Sequence, residues 1–291
     1  MVSCVPIFFG IMRKLLSLSV FIILTLSTGA EQIHYWNTDK PTLEAALKAA
    51  PKDNKEREKA LEMRFIANGC SGNALQHQEV KGHGSNLICE ITGAKAGIII
   101  VAAHFDHVER GQGIVDNWSG AVLLPFLAKS VAEMHPKHTY RFIAFTDEEK
   151  GLVGSKYYVS HLSKEEKKQI LAMINFDTLG LSPTKIWLDH GDRGLAQDIA
   201  AAAGATRLPL SVVNVENLGM ADSDSFFNEK IPALTIHSVT PDTFHILHTA
   251  DDNFSAIKMN DYYDTYRLAA LYLSYLDMLV GNEMTTPAAA K

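Results

Sequence analysis

The stretch "AGIIIVAAH", residues 96–104, limits the folds open to this chain more than any other. It is a continuous apolar run with no alternation. A strand with one face in water alternates apolar and polar residues, so an unbroken run of this length asks to be covered on both faces. "YRFIAF", "LAMINF" and "IPALTIHSV" have the same character, and "SNLICEITG", "TKIWLDHG" and "LSVVNVE" also read as strands. Helical patterns fall between them at 118–134, 151–163, 193–204 and 261–280. Strands alternating with helices predict a three-layer α/β/α architecture around a mostly parallel, mixed sheet. At 291 residues, 47% hydrophobic and 21% charged, the chain has enough apolar material for one large α/β domain. A net charge of -6 with no basic stripe argues against a nucleic-acid partner.

The first thirty residues read as a targeting segment. Arg13 and Lys14 precede the apolar run "LLSLSVFIILTLS", and "STGA" ends in small residues. This is the pattern of a secretory signal peptide cut after Ala30, which makes the mature protein exported, periplasmic or extracellular, with no membrane anchor. Residues 31–282 then form one domain, opening with a helical segment over 31–68, and 283–291 form a tail. In that helical segment Thr42 is a candidate N-cap, and Gly69 marks a stop. Cys4 leaves with the signal. Cys70 and Cys89 either pair in an oxidising compartment or remain as two buried thiols. Pro125 falls inside the apolar pattern after "DNWSG". An interior proline costs a helix about 3 kcal/mol, unless the helix starts near Leu123 and places it in the first turn. The helix over 261–280 is aromatic-rich at helical spacing and reads as a core face.

In open α/β sheets, ligands bind beyond the carboxyl ends of the strands. His104, Phe105 and Asp106 follow the first apolar run. Thr146, Asp147, Glu148 and Glu149 follow the second, and Asp177 follows the third. Asp116 sits at a loop-to-helix junction, and His248 lies in "FHILHTADD" beyond the last strand. One such residue alone would be read as a cap or a solvent-facing group. Together they form a donor set of nitrogen and oxygen without thiolate, which suits zinc, manganese or cobalt. One metal needs about three protein ligands. Here five candidates and a spare glutamate are present, which fits two metals if one carboxylate bridges. The adjacent Glu148 and Glu149 then make sense: one binds metal while the other stays free as a general base.

The motifs "AHFDHV", "DNWSGAVLL", "FTDEEKGLVGS", "INFDTLG" and "HTADD" resemble those of the co-catalytic di-zinc aminopeptidase family. Its bacterial members include secreted leucyl and broad-specificity enzymes, and its superfamily holds glutaminyl cyclases and the transferrin receptor ectodomain. The likeness runs over roughly residues 75–280 and implies a zinc-exopeptidase-like fold binding two zinc ions. It implies that Asp116 bridges the metals, that Glu149 and His248 complete one site, and that His104 and Asp177 complete the other. Glu148 would be the general base, and Asp106 would hold the second ring nitrogen of His104. The bond between Asp116 and Asn117 would be cis. A peptide substrate would be hydrolysed by a metal-activated water, with Glu148 taking its proton and returning it to the departing nitrogen. A free substrate amine near the acidic groups would favour N-terminal residues.

Some positions depart from the family pattern. His107 stands where a small residue is usual and reads as a surface group. Trp118 is bulkier than usual and has the size to wall a cleft. Ser225 replaces a histidine, so no ligand role is carried onto it. His245 is the alternative to His248 if the alignment slips by three residues, and His237 reads as a satisfied core histidine. Two other functions share the fold: a glutaminyl cyclase with one zinc, which "DNWSG" argues against, and a non-catalytic binding protein, which the complete ligand set argues against.

Overall fold

A computed structural model describes residues 2–7, 31–214 and 219–280. The expected apolar signal run and the tail from residue 283 lie outside them, as do residues 215–216 of "LSVVNVE". The principal sheet has eight strands: β3 (Leu75–Glu79), β4 (Ser85–Ile91), β5 (Lys95–His104), β6 (His138–Phe145), β7 (Ile170–Phe176), β8 (Lys185–Trp187), β9 (Ser211–Val212) and β10 (Ala233–His237). Their spatial order is β3-β4-β6-β5-β7-β10-β8-β9. The four central strands β6, β5, β7 and β10 are mutually parallel, while β3 and β4 on one side and β8 on the other run antiparallel to their inner neighbours. The continuous apolar runs are these central strands.

Both faces are covered, as the unbroken β5 run requires. Ile99, Val101 and Ala103 pack into a core with the long helix α9 (Met259–Leu279), α4 (Leu123–Glu133) and α2 (Asn54–Ala67). Ile98, Ile100 and Ala102 point the other way, into a smaller core with Tyr158 of α5 (Val153–Ser160) and Phe226 of α8 (Asp222–Phe227). Alternate side chains of one strand thus feed two hydrophobic layers. The remaining helices are α1 (Lys40–Lys48), the single turn α3 (Ser119–Ala121), α6 (Lys164–Gln169) and α7 (Arg193–Thr206). No helix among the described residues is long and apolar enough to cross a membrane.

Several local expectations are refined. The helical segment begins at Lys40 and not at 31, because residues 31–36 form strand β2 (Glu31–Trp36), antiparallel to β1 (Val2–Ile7). β1 lies within the segment expected to be removed. The cap of α1 is Asp39, whose side chain accepts the Thr42 N–H at 2.9 Å, rather than Thr42 itself. α4 begins at Leu123, so Pro125 falls in the first turn, where helical N–H groups have no intrahelical acceptor and the missing donor costs little. Cys70 and Cys89 are joined as a disulfide, tying the end of α2 to β4. The aromatic face of α9 is core: Tyr262 and Tyr272 are fully buried and donate their hydroxyls to the carbonyls of Ser119 and Leu195.

Candidate metal centre

The parallel strands end together, and their ends deliver the polar residues to one edge. His104 is the last residue of β5, Asp177 follows β7, and Glu148 and Glu149 occupy a 3-10 turn just after β6. His248 comes from the loop between β10 and α9. Two clusters result, and they share one residue. His104, Asp116 and Asp177 form the first; Asp116, Glu149 and His248 form the second. His104 Nε2 lies 3.3 Å from Asp116 Oδ1 and 3.6 Å from Asp177 Oδ1. His248 Nε2 lies 3.2 Å from the other oxygen of Asp116 and 3.0 Å from Glu149 Oε2. His245 takes no part; it sits in the neighbouring turn Phe244–Ile246. Glu148 belongs to neither cluster, but its Oε2 is 3.9 Å from His104 Nε2.

Asp116 faces both ways because its loop is braced on every side. The Asp116–Asn117 peptide is cis. Gly113 precedes it with φ 55°, and a Cβ there would come within 2.3 Å of the His107 Cβ, so only glycine fits. Asn117 accepts N–H bonds from Gly120 and Thr178 and donates to the Phe176 carbonyl, fastening this loop to the one that carries Asp177. Asp252, of the "HTADD" motif, accepts the N–H of Val115 at 2.7 Å and of Asp116 at 3.2 Å. Arg57 of α2 is fully buried and donates to the carbonyls of Pro51, Phe105, Gln112 and Gly113. It therefore ties together the loops leading to Asp106 and Asp116.

Asp106 does more than orient His104. Its carboxylate is 3.4 Å from His104 Nδ1, yet its shorter contacts are the backbone N–H groups of Glu148 (2.9 Å) and Glu149 (3.2 Å). The same side chain thus holds the glutamate turn against the histidine. Trp118, by contrast, does not wall the cleft: it is fully buried under Arg57 and donates its indole N–H to Ala46. A bulky apolar side chain at the start of a helix that faces the core is drawn inward. His107 is tied to backbone carbonyls of Lys52 and Val108, and Ser225 to the Ser155 hydroxyl. His237 is buried and satisfied by Val213 and Val239.

The electrostatics of the protein alone are those of crowded acids. Burial raises the Glu148 carboxyl, and although His104 pulls it down, Asp222, Asp177 and Asp116 push it to about 10. Burial would lower the His104 imidazole, but the carboxylates of Glu148, Asp106, Asp116 and Asp177 outweigh it and raise the ring well above its usual value. His248 is pushed up to about 10, chiefly by hydrogen bonds to Asp116 and Glu149. Asp116 is held low: burial opposes its charge, but His104 and His248 outweigh it. Asp222 is fully buried, and among the described residues neither of its oxygens has a hydrogen-bond partner; burial first, then Asp177 and Asp106, push it to about 7 despite the nearby His104 and Ser155. Glu149 Oε1 is likewise buried without a partner. Protons are here being asked to neutralise what divalent cations neutralise better. The donor set, the orphaned oxygens and the excess of acids all fit bound metal.

The clusters line one side of a cleft of about 300 Å³. Its other walls are mostly apolar, with Leu152, Trp187, Met220, Val239, Phe244 and Leu247 beside the polar Thr178, Thr235 and His237. Sequence reading missed Asp252, Arg57 and Asp222. Asp252 sits in a motif already singled out, so its proximity to His248 was an available signal.

The chain is similar to proteins of known name. A leupeptin-inactivating enzyme of Streptomyces exfoliatus is 36% identical over 152 residues, covering 51% of this chain and 34% of that one. An aminopeptidase of Pseudomonas aeruginosa is 42% identical over 96 residues, 33% of this chain and 18% of that one. The chain thus spans about a third or less of the length of these relatives. Among solved structures, a zinc aminopeptidase from Bacillus subtilis superposes with a TM-score of 0.60 at 26% identity, over 65% of this chain and 49% of that one. The LapA aminopeptidase of Legionella pneumophila gives a TM-score of 0.66 at 21% identity, over 84% and 76% of the two chains, and shows the shared fold. The profile of peptidase family M28 matches residues 86–273, a span that contains both clusters and the glutamate beside them, and the chain belongs to that family.

Proposed function

We propose that this protein is an exported, metal-dependent aminopeptidase that cleaves N-terminal peptide bonds and works with two zinc ions. The observation that carries the reading is the pair of clusters joined at Asp116, with Glu148 beside His104 and part of neither. His104, Asp116 and Asp177 would hold one ion, and Asp116, Glu149 and His248 the other. When bound, the ions would supply Lewis-acid polarisation of the scissile carbonyl and a more acidic water.

The chain's own residues account for the rest. Glu148 takes the proton of the attacking water and delivers it to the departing nitrogen. Asp106 keeps Glu148 in place through its backbone N–H and keeps His104 turned toward the cluster. The surplus of carboxylates around the cleft favours a substrate carrying a free ammonium group, which supports action at the N-terminus. The apolar walls favour an apolar first side chain. Names of relatives and structural neighbours, aminopeptidases in several cases, support the same activity. Export is supported by the joined Cys70 and Cys89, since such bonds persist in oxidising compartments. N-terminal sequencing of the mature protein should then find Glu31 first, with β1 removed; an intact N-terminus on cytoplasmic protein would contradict export.

The test is turnover of a panel of aminoacyl-p-nitroanilides beside a peptide with N-terminal glutamine. Release of nitroaniline, abolished by chelation, supports the aminopeptidase. Pyroglutamate formation without nitroaniline release would replace it with a cyclase.

A further inference from the structure

The glutamate turn is held from the inside by Asp106. It is also held from the outside, by a hairpin that neither the metal clusters nor the proposed chemistry uses. β3 and β4 form an edge hairpin whose tip, residues 80–84, is closed by Val80 and Gly84 and by the His83 N–H to the Val80 carbonyl. β4 runs antiparallel to β6, with Leu87 opposite Ala144. The start of β4 therefore lies beside the end of β6, at the same sheet edge as Glu148. Gly84 is seated against Thr146: a Cβ there would lie 2.7 Å from the Thr146 hydroxyl oxygen.

From this tip, His83 Nδ1 reaches 2.5 Å from Asp147 Oδ2. Asp147 is buried, has φ 51°, and immediately precedes Glu148. Its side chain points to the hairpin while the next two residues point to the metal clusters. Asn86, three residues along the hairpin, accepts the Thr146 N–H and donates to the Gly154 carbonyl, so the hairpin grips both ends of the same turn. The other side-chain partner of Asp147, Lys150, is exposed and lies at 3.2 Å.

We propose that His83 is a positioning residue for Glu148 and Glu149, acting through Asp147 as a latch between the β3–β4 hairpin and the glutamate turn. A general base misplaced by about 1 Å loses about a hundredfold in rate, so a contact that fixes this turn bears on turnover more than on substrate binding. The inference rests on the proposed role of Glu148 for its kinetic consequence, but not for its structural one.

Two measurements on the full chain as purified separate these. The first is hydrogen exchange at residues 148–151, whose reporting needs no activity. His83→Ala should speed exchange there about tenfold, the loss expected for a hydrogen bond to a charged group, while β5 and β6 stay unchanged. The second is kinetics of His83→Ala, Asp147→Asn, the double variant and His83→Asn. kcat should fall about tenfold in either single variant with KM moved less than about twofold, and the double should be no worse than the singles. Asn, which keeps a donor near the Nδ1 position, should restore part of the rate. Lys150→Ala should do much less. Wild-type exchange and wild-type kcat in His83→Ala, or additive losses in the double variant, would overturn the latch. A wild-type enzyme active on peptides but unaffected by Glu148→Gln would overturn the proposed function while leaving the exchange result to decide the latch.

Discussion

The two clusters that meet at Asp116 are built differently. The His104 side is closed: the imidazole is 1% exposed and the Asp177 side chain 15%, and both leave the ends of central parallel strands. The His248 side is open: its imidazole is 54% exposed and stands on a loop, with φ 58°. One half is positioned by the sheet and shielded from water; the other is completed by a side chain that solvent reaches. The difference teaches that a shared carboxylate need not join two equal clusters. The closed half has its geometry set by folding. The open half depends on a loop for its last donor and offers the face a substrate can approach.

The largest expected effect falls on the glutamate beside the closed half. Glu148→Gln should lower kcat by about a thousandfold or more with metal content unchanged. Equal loss of metal would make Glu148 a ligand and break the division of roles. Next comes the comparison itself. His104→Ala leaves enclosed carboxylates unpaired and should destabilise the chelated protein by about 3 kcal/mol, whereas His248→Ala also strips Asp116 and Glu149 of a partner but on the side solvent reaches, and should cost about 1 kcal/mol. Denaturant midpoints decide this, and equal midpoints would mean the asymmetry has no energetic content.

A third prediction contrasts two buried histidines. His104 is raised by carboxylates, while His237, lacking such partners, is lowered by burial to about 4. Between pH 6.5 and 4 the unfolded chain binds the proton that folded His237 refuses. Stability from this group is therefore present above 6.5 and falls by about 3 kcal/mol as pH drops to 4. Asp252, raised to about 6 mainly by burial, acts in the opposite sense, losing stability as pH rises toward 6. The difference between wild type and His237→Gln in chelated protein isolates the histidine: the variant should show the shallower acid slope. The smallest effect is expected for the support. Asp252→Asn should weaken metal binding by about ten- to a hundredfold, read by chelator competition, because Val115 and Asp116 lose a charged acceptor.

What the sequence made legible follows from range. The central strands are readable because burial on both faces leaves an unbroken apolar run, and the ligand candidates are readable because each directly follows such a run or lies in a dense motif. β2, β3 and the six-residue α8 were not, since short elements carry too few periods to stand out. Arg57 and Asp222 were hidden for another reason. Arg57 works on backbone carbonyls up to 56 residues away, and Asp222 acts by proximity to groups at the ends of distant strands, so neither leaves a local pattern. Trp118 misled because the sequence shows its size and not which way its helix turns.

The most direct test of the two-cluster site is a zinc titration of chelated protein, read by competition with a coloured chelator, for the wild type and Asp116→Asn. Two ions per chain with unequal affinities, the weaker lost selectively in His248→Ala and both weakened in Asp116→Asn, are expected. A single ion per chain, unaffected by His248→Ala, would contradict a shared site and leave only the closed half as a metal centre.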